Sequence, residues 1–466
     1  MKRLTFLILA VLLVTMPCAA ADKIVIIKSG GPDQSNIAIT GGTIDGTVIG
    51  GVTPKAISGT TGTFSGSISA TGVVSGADYG NSIVLFGASM VEAGEDGNDT
   101  GFFRWANYLL DARFGPIYYE GVGGENTGEM YARMSTVLAH DTEYVLVAAG
   151  GISNGMFDGD SVATMQSEMT TIFEELLAAG KKVIAGTVLP SSAWDTATER
   201  EHYFEMNLWL RTYATNHDII LVDMGKYVIN YDDTDPSMET INTTDGTHLS
   251  SRGGYLCGKA VYEALQYIVP TNDWLPISVA DTTILSSNPM MVGTAGDVTN
   301  ANASGDLATS WTGEQTTGGT AVYSKVARTD GLPGVWQRLV ITAPAGATDS
   351  ESQIKEIFDI SAYIGDSIHL VCEMNMTGTW TNLRGVYFYG VYFDESWGLV
   401  GGIYGTNHAI DGSLGDLLVP IESGVFKSQS GVVPALSKYL MLYIGFATDD
   451  SGGGTVDIGR CGVVLE

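Results

Sequence analysis

Between Asn81 and Pro270 the chain alternates short apolar runs with amphipathic stretches, and this alternation limits its folds more than any other feature. The runs SIVLFGAS, EYVLVAAGG, KKVIAGTVLP and DIILVDM are β-branched, aliphatic and nearly continuous, as strands buried on both faces must be. Between and after them stand FFRWANYLLDARF, SVATMQSEMTTIFEELLAAG, EREHYFEMNLWLRTYATN and GGYLCGKAVYEALQYI. These are helical in pattern: Phe173, Leu176 and Leu177 recur at the three- and four-residue spacing of one helix face. Strand–helix repetition predicts a doubly wound α/β domain on a parallel sheet, residues 79–272. In such a sheet, groups that meet a ligand collect at the carboxyl ends of the strands.

The flanking sequence has other textures. Lys2 and Arg3, the apolar run Leu4–Val14 and the small residues Ala19-Ala20-Ala21 read as a secretory signal over residues 1–21. Residues 22–78 are rich in Gly, Thr, Ser and Ile, with glycine pairs every few residues, and predict strand and turn. That segment cannot bury a core alone. It resembles the Gly/Thr-rich segments of bacteriophage tail-fibre proteins, which would imply a homotrimer built through it. Beyond Pro270 and Pro276, QRLVITAP, SIHLVCEMNM, GVYFYGVYFD and KYLMLYIGFA are separated by Gly/Asp/Ser turns. Residues 273–466 therefore predict an all-β, jelly-roll-like sandwich.

Charge narrows the partners. A formal net charge of −29 repels nucleic acid and anionic membranes, and no basic patch offsets it. No membrane association is expected once the signal is removed. Three cysteines remain after residue 21, Cys257, Cys372 and Cys461, too few for a disulfide scaffold. Cys372 and Cys461 lie in strand-like stretches, where a disulfide and two buried thiols are equally open; Cys257 reads as a core thiol. The acidic stretches GEDGNDTG and YDDTDPSME lack Ca²⁺-loop spacing and read as solvated loops.

The chemistry concentrates in the α/β part. The first strand ends in Gly87-Ala88-Ser89, a small-residue turn able to present a hydroxyl. A serine attacks only when a base takes its proton and an acceptor fixes the tautomer of that base. Asp245 and His248, three residues apart in TTDGTHLSS, offer both, on the expectation that a helical turn places them on one side. Two further blocks follow strands of the same sheet: Gly121–Gly124 in YYEGVGGENTGEM, and Asn154 in YVLVAAGGISNG.

Taken together, GAS, GVGGEN, GGISNG and DGTH, in that order, resemble the four blocks of the SGNH, or GDSL-type, hydrolase superfamily, over roughly residues 82–269. The resemblance implies Ser89 as nucleophile, His248 as general base and acid, and Asp245 as the group that orients the imidazole. It implies an oxyanion hole from the N–H groups of Ser89 and Gly124 and the side-chain amide of Asn154, with Ser153 as the neighbouring alternative. No metal or cofactor is needed for that chemistry. Two departures stand out. Ala88 occupies the place of the family's aspartate, and the third block, Gly151–Gly155, is one residue longer than usual and lacks its aspartate.

Two functions follow as expectations. One is a secreted or periplasmic serine esterase acting on acyl esters, foremost acetyl groups on a polysaccharide, with the sandwich domain resembling carbohydrate-binding jelly rolls. The other is a virion-associated tail-fibre or receptor-binding protein that carries the same domain to recognise or deacetylate host glycans.

Overall fold

The structure, a computed structural model, describes residues 81–94, 101–194, 196–230, 237–272, 274–316, 318–347, 350–376, 378, 380–406, 417 and 421–466. The secretory signal and the Gly/Thr-rich segment lie outside the described residues, as does most of each acidic stretch.

The α/β part is built on five parallel strands: β1 (Ile83–Gly87), β2 (Ile117–Gly121), β3 (Tyr144–Val147), β4 (Lys182–Gly186) and β5 (Ile219–Val222). Their order across the sheet is β2-β1-β3-β4-β5, with the reversal of direction at β1. This is the doubly wound arrangement that the alternating sequence predicts, with the carboxyl ends of β1 and β3 side by side at the switch point. The helices are α1 (Ser89–Glu92), α2 (Phe102–Leu109), α3 (Thr127–Ala132), α4 (Met134–Ala139), α5 (Gly150–Asp158), α6 (Val162–Ala178), α7 (Ala197–Asn216) and α8 (Ser251–Leu265). They bury both sheet faces. Ile83, Leu85 and Leu146 pack with Phe103, Cys257 and Val261 on one side, while Val84, Phe86 and Val145 pack with Met165, Phe173 and Leu210 on the other. Helix starts are set locally. Asn126 and Glu129 form a capping box at α3, Thr196 and Glu199 form one at α7, and Ser161 and Ser250 cap α6 and α8.

The C-terminal part is all-β. Its longest strand, Tyr439–Leu465, is shared by two layers. Its first half pairs with Ser350–Asp359 and Thr381–Phe393; its second half pairs with Trp336–Thr342 and Ser367–Asn375. Side chains alternate along these strands, so Ile354, Phe388, Leu442 and Ile444 from one layer meet Leu339, Leu370, Val456 and Ile458 from the other. Cys372 and Cys461 stand directly opposite each other in the ladder, both fully buried and both as free thiols.

The sandwich and the α/β part share one apolar core. Trp105 and Tyr108 of α2 and Tyr255 of α8 belong to the same cluster as the sandwich interior. Phe426 meets the Trp105 ring at 5.5 Å and the Tyr108 ring at 4.3 Å. The Tyr108 hydroxyl donates to the carbonyl of Glu422 at 2.9 Å, and the Glu422 N–H donates to the Tyr255 hydroxyl at 3.1 Å. A seam this apolar unfolds with the parts it joins. Phe426→Ala is expected to cost about 3–5 kcal/mol. Differential scanning calorimetry should show the α/β part and the sandwich melting together, earlier than in the parent; an unchanged transition for the α/β part would separate the two.

Candidate active site

Ser89 opens α1 immediately after β1, at the switch point. Ala88 is buried beneath it and faces Gly150, where a Cβ atom would come within 3.0 Å of the Ala88 methyl. A methyl thus packs against the start of α5 at this position, which brings the Gly87–Ser89 turn and the Gly151–Gly155 block into contact.

Asp245 and His248 lie just before α8. Here the structure corrects an expectation: the two are joined by a turn of bends, not by a turn of helix. Asp245 Oδ1 accepts from the backbone N–H groups of Thr247 at 2.9 Å and His248 at 2.7 Å, which folds the chain back on itself. Gly246 supplies the left-handed residue the turn requires, with φ +87° and no room for a Cβ beside Ser192. The Thr243 hydroxyl and the Thr244 N–H both reach the His248 carbonyl, and the Gly246 carbonyl accepts from Ser192 N–H in the loop after β4.

With its backbone so fixed, the turn aims Asp245 Oδ2 at His248 Nδ1, 2.7 Å away, and His248 Nε2 at Ser89 Oγ, 3.0 Å away. Burial would raise the Asp245 carboxyl. The backbone N–H and ring of His248 and the N–H of Thr247 outweigh it and take the pKa down to about 2. An ionised carboxylate only accepts, so Nδ1 carries the proton and Nε2 is left to accept from the Ser89 hydroxyl.

The Gly block and the third block converge on the same place. Gly124 has φ +82° and open space where a Cβ would be. Among the described residues no hydrogen bond takes the backbone N–H of Ser89 or of Gly124. Asn154 sits on α5 rather than on a loop, half-buried, and its amide donates to the Glu125 carbonyl at 2.8 Å. That bond holds Asn154 against the residue that follows Gly124. Ser153 is buried on the same helix.

Arg133 is a positioning group that sequence reading missed. Its guanidinium donates to the carbonyls of Gly87 at 2.8 Å and Glu120 at 3.0 Å and to the Glu125 carboxylate at 2.5 Å, while stacking over Phe86. It therefore ties the end of β1, the end of β2 and the Gly block into one piece. Nothing in the spacing of Glu125 and Arg133 announces this; the pair forms only because α3 turns the chain back over β1.

Residues 85–254 match the model of the GDSL-like Lipase/Acylhydrolase family. No curated protein matches the chain. Among solved structures, a member of the lipolytic G-D-S-L family from Veillonella parvula is 19% identical, covers 40% of this chain and 99% of its own, and superposes with a TM-score of 0.34. A GDSL-like lipase from Bacteroides thetaiotaomicron is 17% identical over 40% of this chain and 88% of its own, with a TM-score of 0.33. A variant of an acetyl-xylooligosaccharide esterase from Geobacillus is 12% identical over 42% and 97%, again at 0.33. The stretch that brings Ser89, His248 and Asp245 together on a doubly wound sheet is thus the one similar to the GDSL-like Lipase/Acylhydrolase family, set within a longer chain.

Proposed function

We propose that the protein is a serine esterase that hydrolyses acyl esters, with Ser89 as nucleophile, His248 as general base and Asp245 as the orienting carboxylate. The continuous hydrogen-bonded chain from Asp245 through His248 to Ser89, at 2.7 and 3.0 Å, carries this reading. Nε2 removes the hydroxyl proton as Oγ attacks the acyl carbon, then returns it to the departing alcohol oxygen. Water, deprotonated by the same nitrogen, releases the acid and frees Ser89. The charge that forms on the carbonyl oxygen meets the unengaged N–H groups of Ser89 and Gly124, with the Asn154 amide as third donor.

The substrate we favour is an acetyl ester on a polysaccharide, and the signal-like pattern of Lys2-Arg3 followed by the apolar run Leu4–Val14 supports export to meet it. His248 and Asp245 are about half exposed, which suits a bulky substrate better than an enclosed pocket would. An organophosphonate ester tests the central assignment. The full-length protein should take up one equivalent, and peptide mass spectrometry should place the adduct on Ser89; an adduct on another residue, or none, removes Ser89 as the nucleophile.

A further inference from the structure

Five strands of the sandwich lie side by side: Thr312–Gln315, Ser350–Asp359, the first half of Tyr439–Leu465, Thr381–Phe393 and Leu399–Thr406. Ile354, Leu442, Ile444 and Phe388 point into the core, so their sequence neighbours stand on the outer face. The register sets Lys355 opposite Tyr443, Tyr443 opposite Tyr389, and Tyr389 opposite Tyr404. The Tyr389 ring lies 5.0 Å from Tyr443 and 6.1 Å from Tyr404.

Two details mark this row as more than filler. Gly402 shares the face with Tyr404, two residues away, and a Cβ on Gly402 would come within 2.6 Å of the Tyr404 hydroxyl and 2.9 Å of its ring. The ring is therefore laid down over the glycine, and the residue is 43% exposed. The hydroxyls of Tyr389, Tyr404 and Tyr443 make no hydrogen bond among the described residues, and none of them is a sealed, unsatisfied atom. At the row's end the Glu314 carboxylate is held by Lys355 at 2.8 Å and Gln353 at 2.6 Å.

Apolar ring surface rimmed by hydroxyls that no described residue engages matches a sugar, whose C–H face packs on aromatics while its hydroxyls need donors and acceptors. A lipid would leave the tyrosine hydroxyls without partners. Nucleic acid and acidic polymers meet a chain of net charge −29. The row is also tied to the nucleophile. Arg104 donates from Nη1 to the carbonyl of Gly405, next to Tyr404, at 2.7 Å. From Nε it donates to the carbonyl of Gly94, five residues past Ser89, at 3.1 Å.

We propose that Tyr404, Tyr389 and Tyr443 form a binding platform for a neutral polysaccharide, laid across the strands and held there for the ester-hydrolysing site. The assignment rests on the polysaccharide-ester reading of that site, but its binding arm can be measured without turnover. Full-length Ser89→Ala protein is run through native gels containing arabinoxylan, glucomannan or polygalacturonate. At least one neutral polymer should retard it, and Tyr404→Ala should weaken the retardation about 3- to 10-fold, with Tyr404→Phe between the two. Tyr404 is exposed, so the melting temperature of these variants should match the parent's. In the active background, Tyr404→Ala should lower the ratio of kcat/KM on acetylated arabinoxylan to kcat/KM on p-nitrophenyl acetate by the same factor. Retardation by polygalacturonate alone, by no polymer, or equally in Tyr404→Ala overturns the platform. Absence of p-nitrophenyl acetate hydrolysis in the parent strikes the esterase reading alone and leaves the gel result standing.

Discussion

Ser89→Ala is expected to lower kcat/KM on a short acyl ester by a factor on the order of 10⁴–10⁶, with the melting temperature unchanged. The size follows from what is removed. Without Oγ there is no acyl-enzyme, and the remaining route is attack by water under the stabilisation of the backbone donors. The fold should not notice, because among the described residues the Ser89 side chain has one hydrogen-bond partner, His248 Nε2, and that ring nitrogen can meet water instead. His248→Ala should fall in the same range, and the double variant should be no worse than either single one, since base and nucleophile act as a unit. Steady-state rates on p-nitrophenyl acetate, with thermal melts alongside, decide the matter. Turnover within tenfold of the parent in Ser89→Ala would require another nucleophile.

Asp245→Asn is expected to cost a factor on the order of 10–10³ in the same measurement, below the roughly 10⁴ seen when a buried triad aspartate is changed. The asparagine oxygen can still accept from the N–H groups of Thr247 and His248, so the turn keeps its shape. Its amide, however, now faces His248 Nδ1 as a donor. The ring then keeps its proton on Nε2 and cannot take one from Ser89. The loss is moderated because Asp245 and His248 are each about half exposed, and water can reorient the ring. Since the Asp245 carboxyl titrates at about 2, the native enzyme keeps this charge throughout the usual assay range, and the deficit should persist across it. The sign for stability agrees. A carboxyl whose pKa is depressed on folding supports the fold above its unfolded value, about 3.9, and loses that support as pH falls toward 2. Asp245→Ala, which also removes the oxygen that accepts from the backbone N–H groups of Thr247 and His248, should lower the melting temperature where Asp245→Asn does not. A parent-like rate in Asp245→Asn would leave Ser89 and His248 as a dyad.

The sequence by itself determined the layered architecture and the cast of the site. Continuous apolar strands can be satisfied only by cover on both faces, and helices between them allow only parallel neighbours, so the doubly wound sheet follows from pattern alone. The order of Ser89, Gly124 and Asn154 along the chain likewise placed each of them after a strand of the sheet, with the Asp245–His248 pair in a later loop. Tertiary structure decided how they meet. Asp245 and His248 are three residues apart in sequence, a spacing compatible with a helical turn; the Asx-type bonds to Thr247 and His248, with the left-handed Gly246, chose a different turn. Asn154 reached the Gly block by riding on α5, and Arg133 closed over β1 through contacts 46 and 13 residues away in the chain. The core shared by Trp105, Tyr255 and Phe426, and the row of tyrosines on the outer face of the sandwich, were equally hidden. Alternation tells which side of a strand a residue takes, but not which strand lies beside it. Only the register of distant strands sets Tyr389 between Tyr404 and Tyr443.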